Sequence, residues 1–100
     1  MMIRMAAELG THLSSRTLGA SLRARIESLV DAGQVVTVDF AGVDTISESF
    51  ADEVFAVLIE KRGSAWFRQG VAMQGLGGAL RDTVLGAILE RRARVAARAS

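Results

Sequence analysis

The 100-residue sequence has no cysteine, no proline and no tyrosine, and it has a single histidine, His12. Without cysteine the chain has no disulfides, no thiolate nucleophile and no cysteine-ligated zinc. One histidine leaves little for any other metal site, so we expect neither a metal nor another cofactor. The net charge is only +1, which gives little of the long-range positive field that attracts phosphate. The composition therefore argues against a nucleic acid partner.

The residues that are present favour one folded domain. Half of them are hydrophobic and 23% are charged, which is the composition of a chain that forms a core and not of a disordered one. Charged residues interrupt the apolar run within residues 1–8, before a signal-peptide core or a membrane span is complete. We expect a single cytoplasmic domain over residues 1–100, with no membrane partner.

Strand-like and helix-like segments alternate along the sequence. The first segment, residues 3–9, suits a strand, although its two alanines would also tolerate a helix. The sequence then predicts, in chain order, a helix at 15–32, a central strand at 35–40, a turn at 41–46, a helix from 47 to about 63, a connection at 63–69, a strand at 70–74 and a last helix from about 78. Leu18, Leu22 and Ile26 have helical spacing, whereas the segment at 35–40 is apolar on both faces, as in a central strand. The alternation predicts an α/β fold with a largely parallel or mixed sheet of about three to four strands and about three packed helices.

The carboxyl end is basic. Residues 91–100 contain Arg91, Arg92, Arg94 and Arg98 among only ten positions. This pattern predicts a solvated helix extension or a frayed tail. A nucleic-acid contact through these arginines is a weaker hypothesis.

Polar side chains are concentrated in the loop that leads into the second predicted helix. They are Asp44, Thr45, Ser47, Glu48, Ser49, Asp52 and Glu53. Ligands and partners of open α/β sheets bind at the loops that follow the strands, so this loop is the candidate partner-binding site. Arg16 could reach its carboxylates, or a phosphate on either serine, if the two strands that lead to these segments are neighbours. The alternative is structural: Ser49 and Asp52 have the spacing of a capping box, and Arg16 is then a surface charge.

Three glycines, Gly75, Gly77 and Gly78, lie between a predicted strand and a predicted helix. Glycines in this context allow backbone amides to approach phosphate, which makes these residues weak candidates for anion binding. The segment lacks the full dinucleotide-binding spacing and the lysine of a nucleoside-triphosphate loop, so a flexible turn is favoured. No catalytic constellation is recognisable, and we expect the protein not to be an enzyme.

Residues 38–53, VDFAGVDTISESFADE, resemble the central signature of a family of STAS-like domains of unknown function, which are distant relatives of bacterial anti-anti-sigma factors. The segment Leu13-Ser14-Ser15-Arg16 is similar to an earlier element of that family, and the resemblance extends over about residues 3–92. It implies a STAS-type α/β fold and a regulatory role in signalling through binding another protein, often a histidine-kinase-like ATPase of the anti-sigma type.

In anti-anti-sigma factors the corresponding loop carries a serine that the partner kinase phosphorylates, which releases the complex. Alignment of the strand and the turn places Glu48 at that position, between Ser47 and Ser49. Either Glu48 acts as a permanent negative charge or Ser49 is the acceptor. The resemblance thus favours a non-enzymatic partner-switching module. The alternative is a small-ligand or nucleotide sensor that uses the same loops.

Overall fold

The computed structural model describes residues 1–99. Its elements are β1 (Met2–Arg4), α1 (Met5–Glu8), β2 (His12–Leu13), α2 (Arg16–Asp31), β3 (Val36–Asp39), β4 (Thr45–Ile46), α3 (Glu48–Ala51), a π-helical segment (Asp52–Ala56), α4 (Val57–Arg62), α5 (Ser64–Gly70), β5 (Val71–Gln74) and α6 (Gly78–Ala99). Helices and strands alternate over most of this order, which confirms the α/β fold class.

Strand β3 is the central strand of a three-stranded sheet with the order β1-β3-β5. Both neighbours are parallel to it, and Val38 lies opposite Ile3 on one side and Met73 on the other. Val36 and Val38 are fully buried, as the apolar pattern on both faces of this strand predicts. The central parallel strand is therefore confirmed.

Helix α2 confirms the predicted helix at residues 15–32. The Ser15 hydroxyl accepts a hydrogen bond from the Leu18 amide at 3.1 Å, which satisfies one of the free donors of the first turn. Leu22 and Ile26 are buried on the core face. Gly33 then ends the helix with a φ of 92°, in the region that favours glycine.

The amino-terminal prediction was wrong in part, because the strand ends at Arg4 and α1 follows. Ala6 and Ala7 favour helix, and the Glu8 carboxylate accepts the Arg4 amide at 3.0 Å. A second, two-stranded sheet was also missed. In it β4 lies within the expected turn and pairs with β2 in parallel. Strands of two residues are too short to show a period in the sequence.

The expected connection at residues 63–69 is instead helix α5. Gly63, with a φ of 95°, separates it from α4. Phe67 is buried and packs edge-on against Phe55, with 6.3 Å between ring centroids. Trp66 is half-buried under the Arg62 guanidinium, which lies 4.4 Å from the ring centroid. Of the adjacent residues Trp66 and Phe67, only Phe67 belongs to the buried core.

The second predicted helix begins after Ser47, and its cap differs from the predicted capping box. Ser47 accepts the Phe50 amide at 3.0 Å and donates its hydroxyl hydrogen to the Ser14 carbonyl oxygen at 3.0 Å. The expected pairing of Ser49 with Asp52 does not form, because the Asp52 side chain binds arginines instead. The helix then passes through the π segment before it continues as α4.

Helix α6 begins at Gly78, as predicted, and continues to Ala99. The predicted solvated extension at residues 91–100 is helical as far as Ala99, and its last residue, Ser100, lies outside the described residues. The description as solvated is wrong for Arg91, whose side chain is 21% exposed because it pairs with Asp52. Within residues 1–99, no helix combines the length and the hydropathy that crossing a bilayer requires.

Candidate functional site

A small cleft lies where the start of α3 meets the first turn of α2 and the middle of α6. Its volume is about 150 Å³, and it is lined by Arg16, Glu48, Ser49, Asp52, Ala87, Glu90 and Arg94. The pairing of β2 with β4 places Leu13 opposite Ile46, and the Ser47 amide donates to the Leu13 carbonyl oxygen at 2.8 Å. The two short strands, which the sequence did not predict, thus bring Arg16 beside the polar loop. The predicted strands that precede these segments, β1 and β3, are also neighbours.

Asp52 is the central charge of this site, and its side chain is only 6% exposed. Arg91 from α6 donates Nε to one carboxylate oxygen at 2.7 Å and Nη2 to the other at 2.8 Å. Arg16 donates Nη1 to the same carboxylate at 3.2 Å. Hydrogen bonds from Arg91, followed by those from Arg16, hold the pKa of Asp52 below its usual value against the opposing effect of burial. The carboxylate therefore remains ionised and neutralised between two helices.

Glu53 connects the same segment to α2. Its carboxylate accepts Nη1 of Arg23 and Nη1 of Arg16, both at 2.9 Å, and its carbonyl oxygen accepts a further bond from Arg23 at 2.8 Å. Arg23, and then Arg16, hold the pKa of Glu53 below its usual value. One guanidinium nitrogen of Arg16 thus bridges two adjacent carboxylates, although adjacent helical residues usually point in different directions.

The contribution of α6 to the site was missed in the sequence. Arg91 also donates to Glu60 at 2.6 Å, Arg98 donates to Glu60 at 3.1 Å, and Arg94 lies 3.8 Å from Asp52. Arg91, Arg94 and Arg98 recur every three to four residues, which places them on one helix face. That spacing was the available signal, but nothing in the sequence identified which carboxylates this face meets.

Glu48, Ser49 and Glu90 are the polar cleft residues whose side chains have no partner within residues 1–99. Glu48 is exposed and Ser49 is half-buried, and within residues 1–99 neither side chain forms a hydrogen bond or an ion pair. Both belong to the first turn of α3, where the helix dipole stabilises negative charge. The cleft therefore presents two unpaired carboxylates, those of Glu48 and Glu90, and a free hydroxyl. They lie beside Arg16, which Asp52 and Glu53 hold in place, and beside the more exposed Arg94.

Two other candidates from the polar loop have different surroundings. The Ser47 hydroxyl already donates to Ser14 and accepts from Phe50, so it serves the helix cap. Asp44 is 68% exposed, lies 3.8 Å from His12 and does not line the cleft. The structure therefore brings Arg16, Glu48, Ser49, Asp52 and Glu53 together and leaves Asp44 at the edge of the two-stranded sheet.

One residue of the glycine segment, Gly75, has a structural reason to be glycine. Gly75 has a φ of 69°, and a Cβ there would lie 3.0 Å from the Ala41 amide nitrogen and 3.2 Å from Asp39 Oδ1. Asp39 uses that oxygen to accept the Ala41 amide at 3.0 Å. Gly75, Gly77 and Gly78 do not line the cleft. The described residues also contain no group of three or more histidine, aspartate or glutamate side chains placed to hold a metal ion.

Gly19 allows α2 to approach the site closely, which leads to a testable contrast. A Cβ on Gly19 would lie 3.1 Å from Glu53 Cβ and 3.3 Å from the Phe50 carbonyl oxygen, whereas a Cβ on Gly86 of α6 would meet nothing within 4 Å. Alanine favours a helix interior by about 0.5–1 kcal/mol over glycine. We expect Gly86→Ala to raise the free energy of unfolding by that amount and Gly19→Ala to lower it by about 1 kcal/mol through crowding.

Urea unfolding of the two variants and the parent chain measures this contrast directly, since both glycines lie inside helices. Gly86→Ala is the matched control for helix propensity. Equal stabilisation by both substitutions would show that α2 does not pack tightly on the site.

Comparison with known proteins gives one family. The family described as STAS-like domain of unknown function (DUF4325) matches residues 19–73, which is more than half of the chain. The chain therefore belongs to this family, and the resemblance seen in residues 38–53 is confirmed. Neither the curated proteins nor the solved structures contain a match to the chain.

Proposed function

We propose that this STAS-like domain is a non-enzymatic regulatory module that binds a protein partner through the helix-start face. This face consists of Arg16, Glu48, Ser49, Glu90 and Arg94. The observation that carries the proposal is the contrast within the cleft: Asp52 is buried and fully paired, whereas Glu48 and Ser49 beside it are unpaired within residues 1–99. Membership of a STAS-like family supports a regulatory role.

The arginine network gives this face a defined shape before a partner arrives. Asp52 and Glu53 both bind Arg16, so the guanidinium has already lost much of its rotamer freedom. Binding then costs less conformational entropy than it would with a free arginine. A charged surface of fixed geometry also discriminates against partners whose charges do not match.

Ser49 is the candidate for regulation of this contact. A phosphate there adds about two negative charges in a cleft that Arg16 and Arg94 line. Those arginines could hold the phosphate through charge-assisted hydrogen bonds, and the neighbouring carboxylate of Glu48 would increase the negative potential. A partner that contacts this face would be displaced. The family resemblance suggests a histidine-kinase-like ATPase as partner and as kinase.

Affinity capture with three forms of the chain tests the proposal. The forms are wild type, Ser49→Asp and Ser21→Asp, where Ser21 is an exposed position of α2 and supplies the matched control. We expect wild type and Ser21→Asp to retain the same specific partner. Ser49→Asp should capture about one-tenth as much, which is what a tenfold loss of affinity gives when binding is far from saturation. Mass spectrometry of the captured chain reports phosphate on Ser49.

Two outcomes would contradict the proposal. One is capture of the same partner in equal amount by all three forms, which would place the contact elsewhere. The other is the absence of a specific protein partner together with a thermal shift on addition of nucleotides. That result would favour the ligand-sensing alternative, since bound ligand stabilises the folded state.

A further inference from the structure

Helix α6 has two large apolar side chains that the described chain leaves partly exposed. Leu85 is 40% exposed and Leu89 is 63% exposed, although large apolar side chains are usually the first to be buried. Asp82 and Arg92 lie on either side of them and are also exposed. Together these four residues form what we call the α6 stripe.

The spacing within the α6 stripe is that of a coiled-coil seam. The steps from Asp82 to Leu85, to Leu89 and to Arg92 are three, four and three residues, which is the alternation of a heptad seam. The buried residues of the same helix, Val84 and Ala87, lie outside this seam. The seam is therefore additional to the face that α6 uses for its own core.

The α6 stripe is self-complementary when a second copy runs antiparallel to it. The seam has two alternating positions, one occupied by Asp82 and Leu89 and the other by Leu85 and Arg92. In an antiparallel helix pair, a residue at one of these positions faces a residue at the other position of the second helix. With the two-fold axis at the level of Ala87, Leu85 faces Leu89 of the second copy and Asp82 faces Arg92 of the second copy. A two-fold axis repeats each contact, so two leucine layers are flanked by two pairs of opposite charge.

The charges that this register pairs have no other partners. Within residues 1–99, neither the Asp82 nor the Arg92 side chain forms an ion pair or a side-chain hydrogen bond. Arg81 and Glu90 of α6 are also unpaired, whereas Arg91, Arg94 and Arg98 lie close to carboxylates of other helices. The two unused charges of the stripe are the two that the antiparallel register brings together.

One flank of the seam consists of small residues. Gly86 and Ala93 lie beside the leucine layers, and a Cβ on Gly86 would have open space. No contact within the described chain therefore requires glycine there, although glycine weakens a helix interior. Small residues beside a seam allow two helix backbones to approach closely, and this flank brings no like charges together.

We propose that the α6 stripe mediates a two-fold symmetric dimer of this chain, in which two copies of α6 pack antiparallel. Leu85 and Leu89 form the centre of the interface, and Asp82 and Arg92 set its register. The helix-start face and the α6 stripe share no residue, so failure of the dimer leaves the proposed partner contact untouched.

Sedimentation velocity of the full chain over micromolar to near-millimolar concentrations tests the dimer. We expect wild type to pass from monomer to dimer and Leu89→Glu to raise the dimer dissociation constant by about 100-fold, since it places a charge in both leucine layers. Val35→Glu is the control, because Val35 is also an exposed apolar residue, at 58%. It should leave the dissociation constant unchanged. Circular dichroism confirms that each variant is folded.

A charge exchange tests the register. Asp82→Arg alone and Arg92→Asp alone each place like charges opposite one another twice, and we expect each to weaken the dimer by about tenfold. The double variant restores opposite charges and should return the dissociation constant to within about threefold of wild type. Three results would overturn the proposal: a wild type that stays monomeric throughout, a dimer indifferent to Leu89→Glu, or a double variant no better than the single ones.

Discussion

Replacing Asp52 by alanine is expected to lower the free energy of unfolding by about 3 kcal/mol. The Asp52 carboxylate binds Arg91 through two hydrogen bonds and Arg16 through one. Its removal leaves Arg91, whose side chain is 21% exposed, with Glu60 as its remaining carboxylate. Loss of one partner from a buried charge pair is costly because the remaining charge stays poorly solvated.

Glu90→Ala is the control for the Asp52 variant, because Glu90 lines the same cleft but is exposed. We expect it to change the free energy of unfolding by less than about 0.5 kcal/mol. Urea unfolding of both variants and the parent chain provides the comparison. Similar stabilities for Asp52→Ala and the parent would show that the network does not hold α6 in place.

The same network predicts the sign of the pH dependence. The folded-state pKa of Asp52 lies below its usual value, chiefly because of Arg91. The stabilisation that the ionised Asp52 carboxylate gives to the folded state is therefore fully present above its unfolded-state pKa, about 4. It is lost as the pH falls through the lower folded-state pKa. Thermal unfolding should show the parent losing more stability than Asp52→Ala as the pH falls from about 5 towards 2. A parallel loss in both chains would contradict this assignment.

Phe55→Ala is expected to have the largest effect, a loss of about 4 kcal/mol in the free energy of unfolding. Phe55 is fully buried in the π segment. Its ring centroid lies 5.9 Å from that of Phe40, directly after β3, and 6.3 Å from that of Phe67 in α5. Truncation therefore removes contacts between the sheet and two helical segments and leaves a cavity.

Urea unfolding also measures the Phe55 effect, with Val35→Ala as the control for an exposed apolar side chain. We expect the control to change the free energy of unfolding by less than about 0.5 kcal/mol. A loss of only about 1 kcal/mol for Phe55→Ala would mean that the core collapses into the cavity. It would also mean that the π segment is not held in place by Phe55.

The sequence predicts those parts of the fold that carry long and repeated signals. Helix α2 has a regular apolar stripe and a serine cap, and β3 has consecutive β-branched residues. Both are confirmed to within one or two residues. Strands β2 and β4 have two residues each and pair over a long sequence separation, so no local pattern reveals them. Helix α5 was missed because only Phe67 and Gly70 are buried in it, which is too few for a visible period.

The sequence predicted the part of the site that the polar loop and Arg16 form, but not the part that α6 contributes. The prediction brought Arg16 to the polar loop through neighbouring strands at residues 3–9 and 35–40, and the contact is present. The strands that directly precede the two segments are β2 and β4, however, which were not predicted. The contact between Arg91 and Asp52 joins residues 39 positions apart, and it depends on how α6 packs on the π segment. A helix with many exposed arginines gives the same sequence pattern whether or not one of them is buried. Only the tertiary packing of α6 determines that Arg91 is the arginine that binds Asp52.

The most direct test of the proposed partner contact is the affinity of the captured partner, once purified, for wild type, Ser49→Asp and Ser21→Asp. Titration calorimetry gives the dissociation constants. If the helix-start face is the contact, Ser49→Asp binds at least about tenfold more weakly than wild type and Ser21→Asp binds equally well. Equal dissociation constants for wild type and Ser49→Asp would contradict the account, because the charge would then lie outside the interface.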